Sequence, residues 1–408
     1  MLKDARQLRE QVRTSGAPAA LLLLLMAATS ISATTLTIIV PALPELTRLL
    51  KADPATVQLT VSLFLVGLAA AQLIMGPLSD RFGRRPVMMG GMALTGAVSL
   101  LAVVLANIES LIVARIFQAI GASTGIVVGR AIIRDLFERD RAASVLGLVA
   151  TVMVIVPSFA PLMGGLLDAA FGWQAIFLFT ATTSLGVMAW VALTLPETST
   201  LNVIQGETPS FWADLKDLAR ARLFWGYVLS GAFASATFFA YLGGGPHVVV
   251  SLMGRSPSEF GVWFAISSLG YAGGNFGASR LAVRLGSNTL IWLGIAFEAA
   301  GASLAVLLAV FAMDWGPIIV FGPQTLMGIG NGLLLPAAIA GAVSIRPRAA
   351  GTAAGIMGCT QMAIGAACAQ LGGMLLAGAT SAIPLALILA GVVSALIVSY
   401  VWLGPRRR

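Results

Sequence analysis

Apolar runs of about twenty residues recur along this chain from Ala17 to Leu403, and the interruptions between most of them are only a few residues long. A helix needs about 20 apolar residues to cross a hydrocarbon layer roughly 30 Å thick. Backbone groups in lipid must find partners within their own segment, so runs of this length predict helices and not barrel strands. With 58% hydrophobic and 10% charged residues among 408, the chain has too little polar material to coat a soluble protein. The expected fold class is an all-α polytopic membrane protein with twelve spans. They are read at 17–40, 56–77, 86–106, 110–130, 142–167, 174–195, 223–245, 259–279, 288–311, 317–341, 350–376 and 381–403.

Charge then orients the spans. Of the 25 Lys and Arg, all but four fall on the face that holds both termini. The exceptions are Arg48, Lys51 and Arg255 on the opposite face and Arg115 inside a span. That asymmetry predicts cytoplasmic N- and C-termini. It also removes nucleic acid as the reason for a basic pI, because the positive residues occupy loops and tails and not one soluble face. Lys3, Arg6, Arg9 and Arg13 ahead of Leu21–Leu25 imitate a signal peptide, but eleven further spans favour a retained first helix. Cys359 and Cys368 are nine residues apart in one predicted helix and point to opposite faces, so no disulfide is expected between them. No phosphate-binding Gly-x-x-x-x-Gly-Lys-[Ser/Thr] loop and no His/Cys metal spacing occurs, and no catalytic constellation stands out.

The longest connection, 196–222, divides the chain. A basic N-terminal tail (1–16) precedes a six-helix half at 17–195, and a second six-helix half at 223–403 precedes a basic tail at 404–408. Within the linker Phe211, Trp212, Leu215 and Leu218 recur at helical spacing beside Asp214, Lys216 and Asp217. Two readings stand, an interfacial helix and a solvated linker. Shifting the sequence by 203 residues lays Leu78-x-x-Arg81-x-Gly83 over Leu281-x-x-Arg284-x-Gly286. The second copy has Val283 in place of an acid and lacks the trailing arginines. Paired six-helix repeats are typical of transporters with a site between the halves near the midplane.

The segment Gly76-Pro-Leu-Ser-Asp-Arg-Phe-Gly-Arg-Arg-Pro86 reads as a tight charged turn between spans two and three. Gly76 and Gly83 permit the turn. Asp80 has Arg81, Arg134 and the positive end of a neighbouring helix as candidate partners. In the fifth span Pro157 and Pro161 each remove a backbone donor, and Pro161 leaves the Pro157 carbonyl without one. Gly164 and Gly165 allow close helix approach, so a kinked, tightly packed hinge between halves is expected there. Gly270, Gly273, Gly274 and Gly277 in span eight, and Gly351, Gly355 and Gly358 in span eleven, form similar stripes. Arg115 and Glu298 are the ionisable residues placed well inside spans. Each costs about 2.5–3.5 kcal/mol on insertion scales and is a functional candidate for that reason. His247, after Gly243-Gly-Gly-Pro246, reads as an incidental interfacial histidine, although its chemistry permits titration near neutral pH.

Together these motifs resemble a known group. Gly76-x-Leu78-x-Asp80-Arg81-x-Gly83-Arg84-Arg85 resembles the loop 2–3 signature of the major facilitator superfamily. Leu111-x-x-x-Arg115-x-x-Gln118-x-x-Gly121-Ala122 is similar to its helix-four motif, and Ala160-Pro161-x-x-Gly164-Gly165 to the helix-five motif of drug:H+ antiporters. Pro41-Ala-Leu-Pro44, Arg134-Asp135 and Gly172-Trp173-Gln-Ala-Ile-Phe177 narrow the resemblance to the Bcr/CflA branch of bicyclomycin- and phenicol-type efflux proteins.

The resemblance implies a twelve-helix secondary transporter of the bacterial inner membrane that works by alternating access as a monomer and needs no cofactor beyond a proton gradient. Cavity helices one, four, seven and ten would present Thr37, Arg115, Gln118, Tyr241, Gln324 and Asn331. A mostly apolar cleft with a few polar groups suits small amphiphilic drugs. The resemblance also implies a latch of Gly76, Asp80, Arg81, Gly83, Arg84, Arg85, Arg134 and Asp135. The competing reading of those arginines is plain topology anchoring. Many relatives carry an acid in helix one where this chain has Thr37, so Glu298, Asp168 and Arg115 become the proton-coupling candidates. For Glu298 a structural pair and a proton site are both open, and for Arg115 a structural hydrogen-bonding role stands beside the cavity role. Export of an endogenous metabolite, such as an amino-acid derivative or siderophore, is the alternative function.

Overall fold

The computed structural model describes residues 10, 18–105, 107–137, 139–199, 211–346 and 349–405. The N-terminal basic cluster Lys3–Arg13, Arg348 and the last three arginines lie outside the described residues, as does the linker stretch 200–210.

The described chain is helical throughout. Its spans are Ala19–Thr37, Pro54–Phe82, Arg84–Val104, Ile108–Leu136, Arg139–Phe171, Gln174–Thr194, Arg222–Pro246, a continuous run Pro257–Phe311, Ile318–Ser344, Ala350–Leu376 and Ile383–Leu403. The long run breaks at Gly286, where φ is 75°, and therefore supplies two spans. Twelve crossings result, as the sequence predicts. By length and composition 10 of the described helices qualify individually as membrane-crossing. In the fifth only Ile155–Phe171 forms an apolar stretch.

Both expected loops of the 203-residue repeat turn out smaller than read. Helix continues through Pro77 to Phe82, and only Gly83 (φ 100°) separates it from the next helix. Gly286 does the same work between spans eight and nine. A positive φ is costly for any residue with a Cβ, which explains a glycine at both positions. Several spans start on side-chain caps. Asp53 accepts from the Thr56 amide (3.0 Å), Asn107 from that of Ser110 (2.9 Å) and Ser256 from that of Glu259 (3.1 Å). All three caps lie on the face opposite the basic loops. Within the linker a helix does form, at Phe211–Arg220. Arg346 reaches back to pair with its Asp217.

Glycines set the helix crossings, and they do so in matching register. Gly67 of span two meets the Ile116 carbonyl of span four, and Gly270 of span eight meets the Thr325 carbonyl of span ten. Gly91 sits against Gly121 between spans three and four, as Gly294 does against Gly330 between spans nine and ten. The first-named residues differ by 203 and their partners by 209. This register makes the repeat a property of the packing and not only of one motif. It also corrects the reading of span eight, since Gly270 and Gly274 face span ten and not the other half of the chain.

The two sets of six spans meet along spans five and eight and along spans two and eleven. Near the opposite face the meeting is tight. A Cβ on Gly165 would lie 2.6 Å from the Pro257 carbonyl, and one on Gly373 would strike Gln58. Gly261 faces Leu162, and Gln370 Nε2 donates to the Ala55 carbonyl at 2.9 Å. Toward the basic face Gly358 approaches Gln72. The ion pairs Arg48–Glu45, Arg84–Asp80, Arg84–Asp135 and Arg255–Glu259 each lie within one set of six, and Arg346–Asp217 ties the second set to the linker.

The register makes a prediction. Gly294→Leu should overpack the span nine–ten crossing and cost about 1–3 kcal/mol or more, read as a lowered thermal midpoint in detergent. Gly273→Leu, with nothing within 4 Å of its Cβ position, should leave the midpoint unchanged.

Candidate functional site

Two polar clusters sit in the middle of the bundle, one in each set of six spans. In the first, Arg115 is 1% exposed and fully extended into hydrogen bonds. Its Nε donates to the Thr60 carbonyl (3.0 Å), and its Nη1 donates to the Thr35 carbonyl (2.8 Å) and to Gln118 Oε1 (3.0 Å). Gln118 Nε2 donates to Ser99 Oγ at 2.7 Å. The guanidinium carbon lies 4.3 Å from the centroid of the Phe64 ring, within cation–π range. One arginine thus ties spans one, two, three and four. Its acceptors are carbonyl and amide oxygens, and no carboxylate pairs with it among the described residues. Nη2 has no partner there.

Thr37 does not line an open cleft. It is buried, and its hydroxyl faces the Ala33 carbonyl (3.0 Å) and the Pro157 carbonyl (3.4 Å). The second of these is the carbonyl that Pro161 leaves without a helical donor. The helix runs unbroken through both prolines, with the Thr37 hydroxyl 3.4 Å from the freed group and nearer to the Ala33 carbonyl. Gly164 packs on the backbone of Ile38 and Gly165 on that of Pro257. The fifth-span motif therefore holds span one with one glycine and span eight with the next.

The second cluster centres on Glu298, 0% exposed in span nine. Glu298 Oε1 lies 3.4 Å from Thr237 Oγ1 of span seven, and Asn331 Nδ2 of span ten donates to the same hydroxyl at 3.3 Å. Gln324 and Tyr241 are buried nearby along spans ten and seven, and both keep a polar atom without a protein partner. Tyr241 packs among Phe260, Phe264 and Phe321. The structure thus brings Glu298 together with Asn331, and Arg115 with Gln118, but it keeps the two groups apart. Asp168 belongs to neither. It lies half-buried at the far end of span five, within range of the Glu45 charge.

The charged segment after span two is a third assembly. Arg84 Nη1 contacts Asp80 (2.5 Å) and Ser79 Oγ (2.6 Å), and its Nε reaches Asp135 at 3.1 Å. Asp80 therefore pairs with Arg84, not with Arg81 or Arg134. Arg81 stacks over Phe82, and Arg134 is exposed. The positive end of span three, the other partner expected for Asp80, is taken by Glu197. That carboxylate accepts from the amides of Arg84 (2.8 Å) and Arg85 (3.1 Å). Arg85 in turn donates to the Ala192 carbonyl at 2.6 Å. Gly76 lies on helix, with Val127 of span four 3.9 Å from its Cβ position.

Two functional candidates were not legible as such in the sequence. Glu197 reads there as one more linker acid, because nothing local links it to a turn over 100 residues away. Arg130 stands at the end of the fourth span as read from the sequence, yet the helix continues to Leu136 and places Arg130 and Arg134 on its last two turns, both exposed.

The Major Facilitator Superfamily profile matches residues 25–367. The chain belongs to the Major Facilitator Superfamily. Among its relatives is the chloramphenicol resistance protein of Pseudomonas aeruginosa, 30% identical over 76% of this chain and 71% of that protein. Another is the bicyclomycin resistance protein homologue of Haemophilus influenzae, 26% identical over 80% and 82%. These relatives bear out the resemblance to the Bcr/CflA branch. A solved bacterial homologue of the human lysosomal transporter Spinster shares the fold, with a TM-score of 0.76 at 16% identity over 94% of this chain and 95% of that one. This superfamily member is accordingly a multi-pass membrane transporter for small molecules.

Glu197 gives this site a pH dependence. Burial pushes its carboxyl up, but hydrogen bonds from the amides of Ser199, Arg84 and Arg85 and from the Ser199 side chain outweigh it and leave it below the ordinary value of 4.5. A depressed folded-state pKa stabilises the fold above the unfolded value, and that contribution disappears as pH falls through the lower, folded one. The protection of the Arg84 and Arg85 amides, taken relative to the exchange rate of the unfolded peptide at the same pH, should therefore fall on acidification through that window. Glu197→Gln should show faster exchange there already at neutral pH.

Proposed function

We propose that this transporter is a secondary active exporter of small amphiphilic drugs, of phenicol or bicyclomycin type, working by alternating access and driven by proton antiport. Two six-helix units, 17–195 and 223–403, are the moving bodies, and 196–222 is the cytoplasmic linker with an interfacial helix. The basic face lies in the cytoplasm of a bacterial inner membrane, with both termini there. The protein works as a monomer.

The observation that carries this reading is the uneven seam. Backbone-tight glycine contacts join the halves on the face away from the basic loops, whereas toward the basic face Gly358 meets only the side chain of Gln72. A molecule built this way is closed outward and free to part inward. The names of the relatives supply the substrate class. The Arg84–Asp80–Asp135 group acts as the latch of the first half, with Gly76, Arg81, Gly83, Arg85 and Arg134 around it. Pro157, Pro161, Gly164 and Gly165 act as the pivot.

In the conformation seen here Thr37, Arg115, Gln118, Tyr241, Gln324 and Asn331 are all buried. They flank the substrate route only once spans one, four, seven and ten have shifted. Arg115, held by two carbonyl oxygens and one amide oxygen, serves mainly to keep the first half rigid and to repel cations. Proton coupling falls to a carboxylate. Glu298 is better placed than Asp168, since the cluster around it joins the seventh and tenth spans.

Susceptibility testing decides the substrate class. Overexpression should raise the inhibitory concentrations of chloramphenicol and bicyclomycin several-fold, with little change for a cationic dye, and Arg115→Ala should abolish the shift. No shift for either drug would favour the metabolite exporter.

A further inference from the structure

Glu298 is held in a way that an ionised carboxylate would not tolerate. The Thr237 hydroxyl owns one hydrogen, and the Ala234 carbonyl claims it at 2.7 Å, leaving Glu298 Oε1 at 3.4 Å as the poorer acceptor. Asn331 Nδ2 points at the same hydroxyl oxygen and not at the carboxyl. Glu298 Oε2 has no partner, nor has Asn331 Oδ1. A carboxylate accepts several hydrogen bonds and costs most when buried without them. A carboxylic acid instead brings its own hydrogen and can donate to the Thr237 oxygen.

Nothing nearby supplies the missing positive charge. Span nine has no other charged residue from Ser287 to Phe311, and span ten has none from Ile318 to Ser344. Span seven contributes Arg222 only at its start, together with Tyr227 and Tyr241, and span twelve contributes Tyr400. Tyr227 and Tyr400 both reach Asn288, ten residues and about 15 Å along the helix from Glu298. Span eight carries Tyr271 at mid-depth, while Glu259, Arg280 and Arg284 lie toward its ends.

The repeat adds an independent observation. Glu298 falls 203 residues after Thr95, and both pack against the matched glycines, Gly330 and Gly121. In the first half a neutral threonine fills this position and donates to the Gly91 carbonyl at 3.0 Å. The packing frame is thus one that accepts a neutral side chain, and the second half has an acid in it.

We propose that Glu298 is a reversible proton-binding site, protonated in this outward-closed conformation and emptied when the seventh and tenth spans part toward the basic face. The inference rests on the alternating-access reading above. On release the Glu298 O–H bond breaks and its proton passes to water entering beside Thr237. The carboxylate left behind is then hydrated, and it takes up a proton again from the other side of the membrane. Thr237 can accept from Glu298 while it accepts from Asn331 Nδ2 and donates to the Ala234 carbonyl, which makes it a positioning group for the acid.

The test is infrared spectroscopy of the purified full chain in lipid at neutral pH, reading the carbonyl stretch of a protonated carboxylic acid. The expected result is a band in the wild type that is lost in Glu298→Gln and shifted in Thr237→Val. Identical spectra for all three in that region would overturn the proposal. Should Glu298→Gln fail to fold, the Thr237→Val shift still decides it. In parallel, proteoliposomes with an imposed pH difference should accumulate chloramphenicol with the wild type, and Glu298→Gln should fall to the level of empty liposomes. Equal pH-driven accumulation by both proteins would remove Glu298 and leave the drug reading standing. The band without any chloramphenicol movement by the wild type would support the proton site and count against the drug reading alone.

Discussion

Hydrocarbon offers polar groups no water, so every one of them must be answered from within the bundle, and the buried guanidinium of Arg115 is where that demand is greatest. An arginine at the bilayer centre is tolerated only when acceptors surround it. Here two main-chain carbonyls, one amide oxygen and an aromatic face do so. The acceptors come from the first, second and fourth spans, and Gln118 extends the network to Ser99 of the third. Moving any of these helices independently would strand a charge. Under the proposed alternating access, spans one to four therefore move as a block.

The second half has the same frame without the same lock. Matching glycines at Gly67 and Gly270, Gly91 and Gly294, and Gly83 and Gly286 show two units built to one packing plan. Their polar centres have diverged. Where the first half has a cation with three oxygen acceptors and an aromatic face, the second has a carboxyl with one contested neighbour and an unanswered oxygen. A well-partnered group serves stability. An unsaturated, uncompensated one is suited to change its state, because its surroundings favour one protonation form only as long as they stay dry.

Much of this was legible in the sequence, and what was not has physical causes. Twelve spans follow from apolar length, and the repeat and the superfamily follow from short motifs whose glycines and arginines have few substitutes. The Gly76–Pro86 segment was read as a turn because Pro and charge cluster there, but one glycine with positive φ is enough to reverse a helix and the rest stayed helical. The partner of Asp80 was misjudged because Arg84 lies across that glycine, where spacing on one helix gives no guidance. Glu197 escaped notice because its role is to cap a helix from the far end of the half. Thr37 looked like a missing acid, and in three dimensions its hydroxyl sits between the Ala33 carbonyl and the Pro157 carbonyl that Pro161 sets free.

These features support the proposal that two rigid halves swing about a seam closed on the face away from the basic loops. The measurement that tests this most directly is a set of spin-label distances across the halves, one pair on Lys51 and Arg255 and one on Arg81 and Arg284, with Lys51 and Arg81 as a pair inside the first half. Shifting the pH should lengthen the first distance as it shortens the second, and leave the third unchanged. Inter-half distances that stay fixed together, or an internal distance that moves with them, would contradict the account.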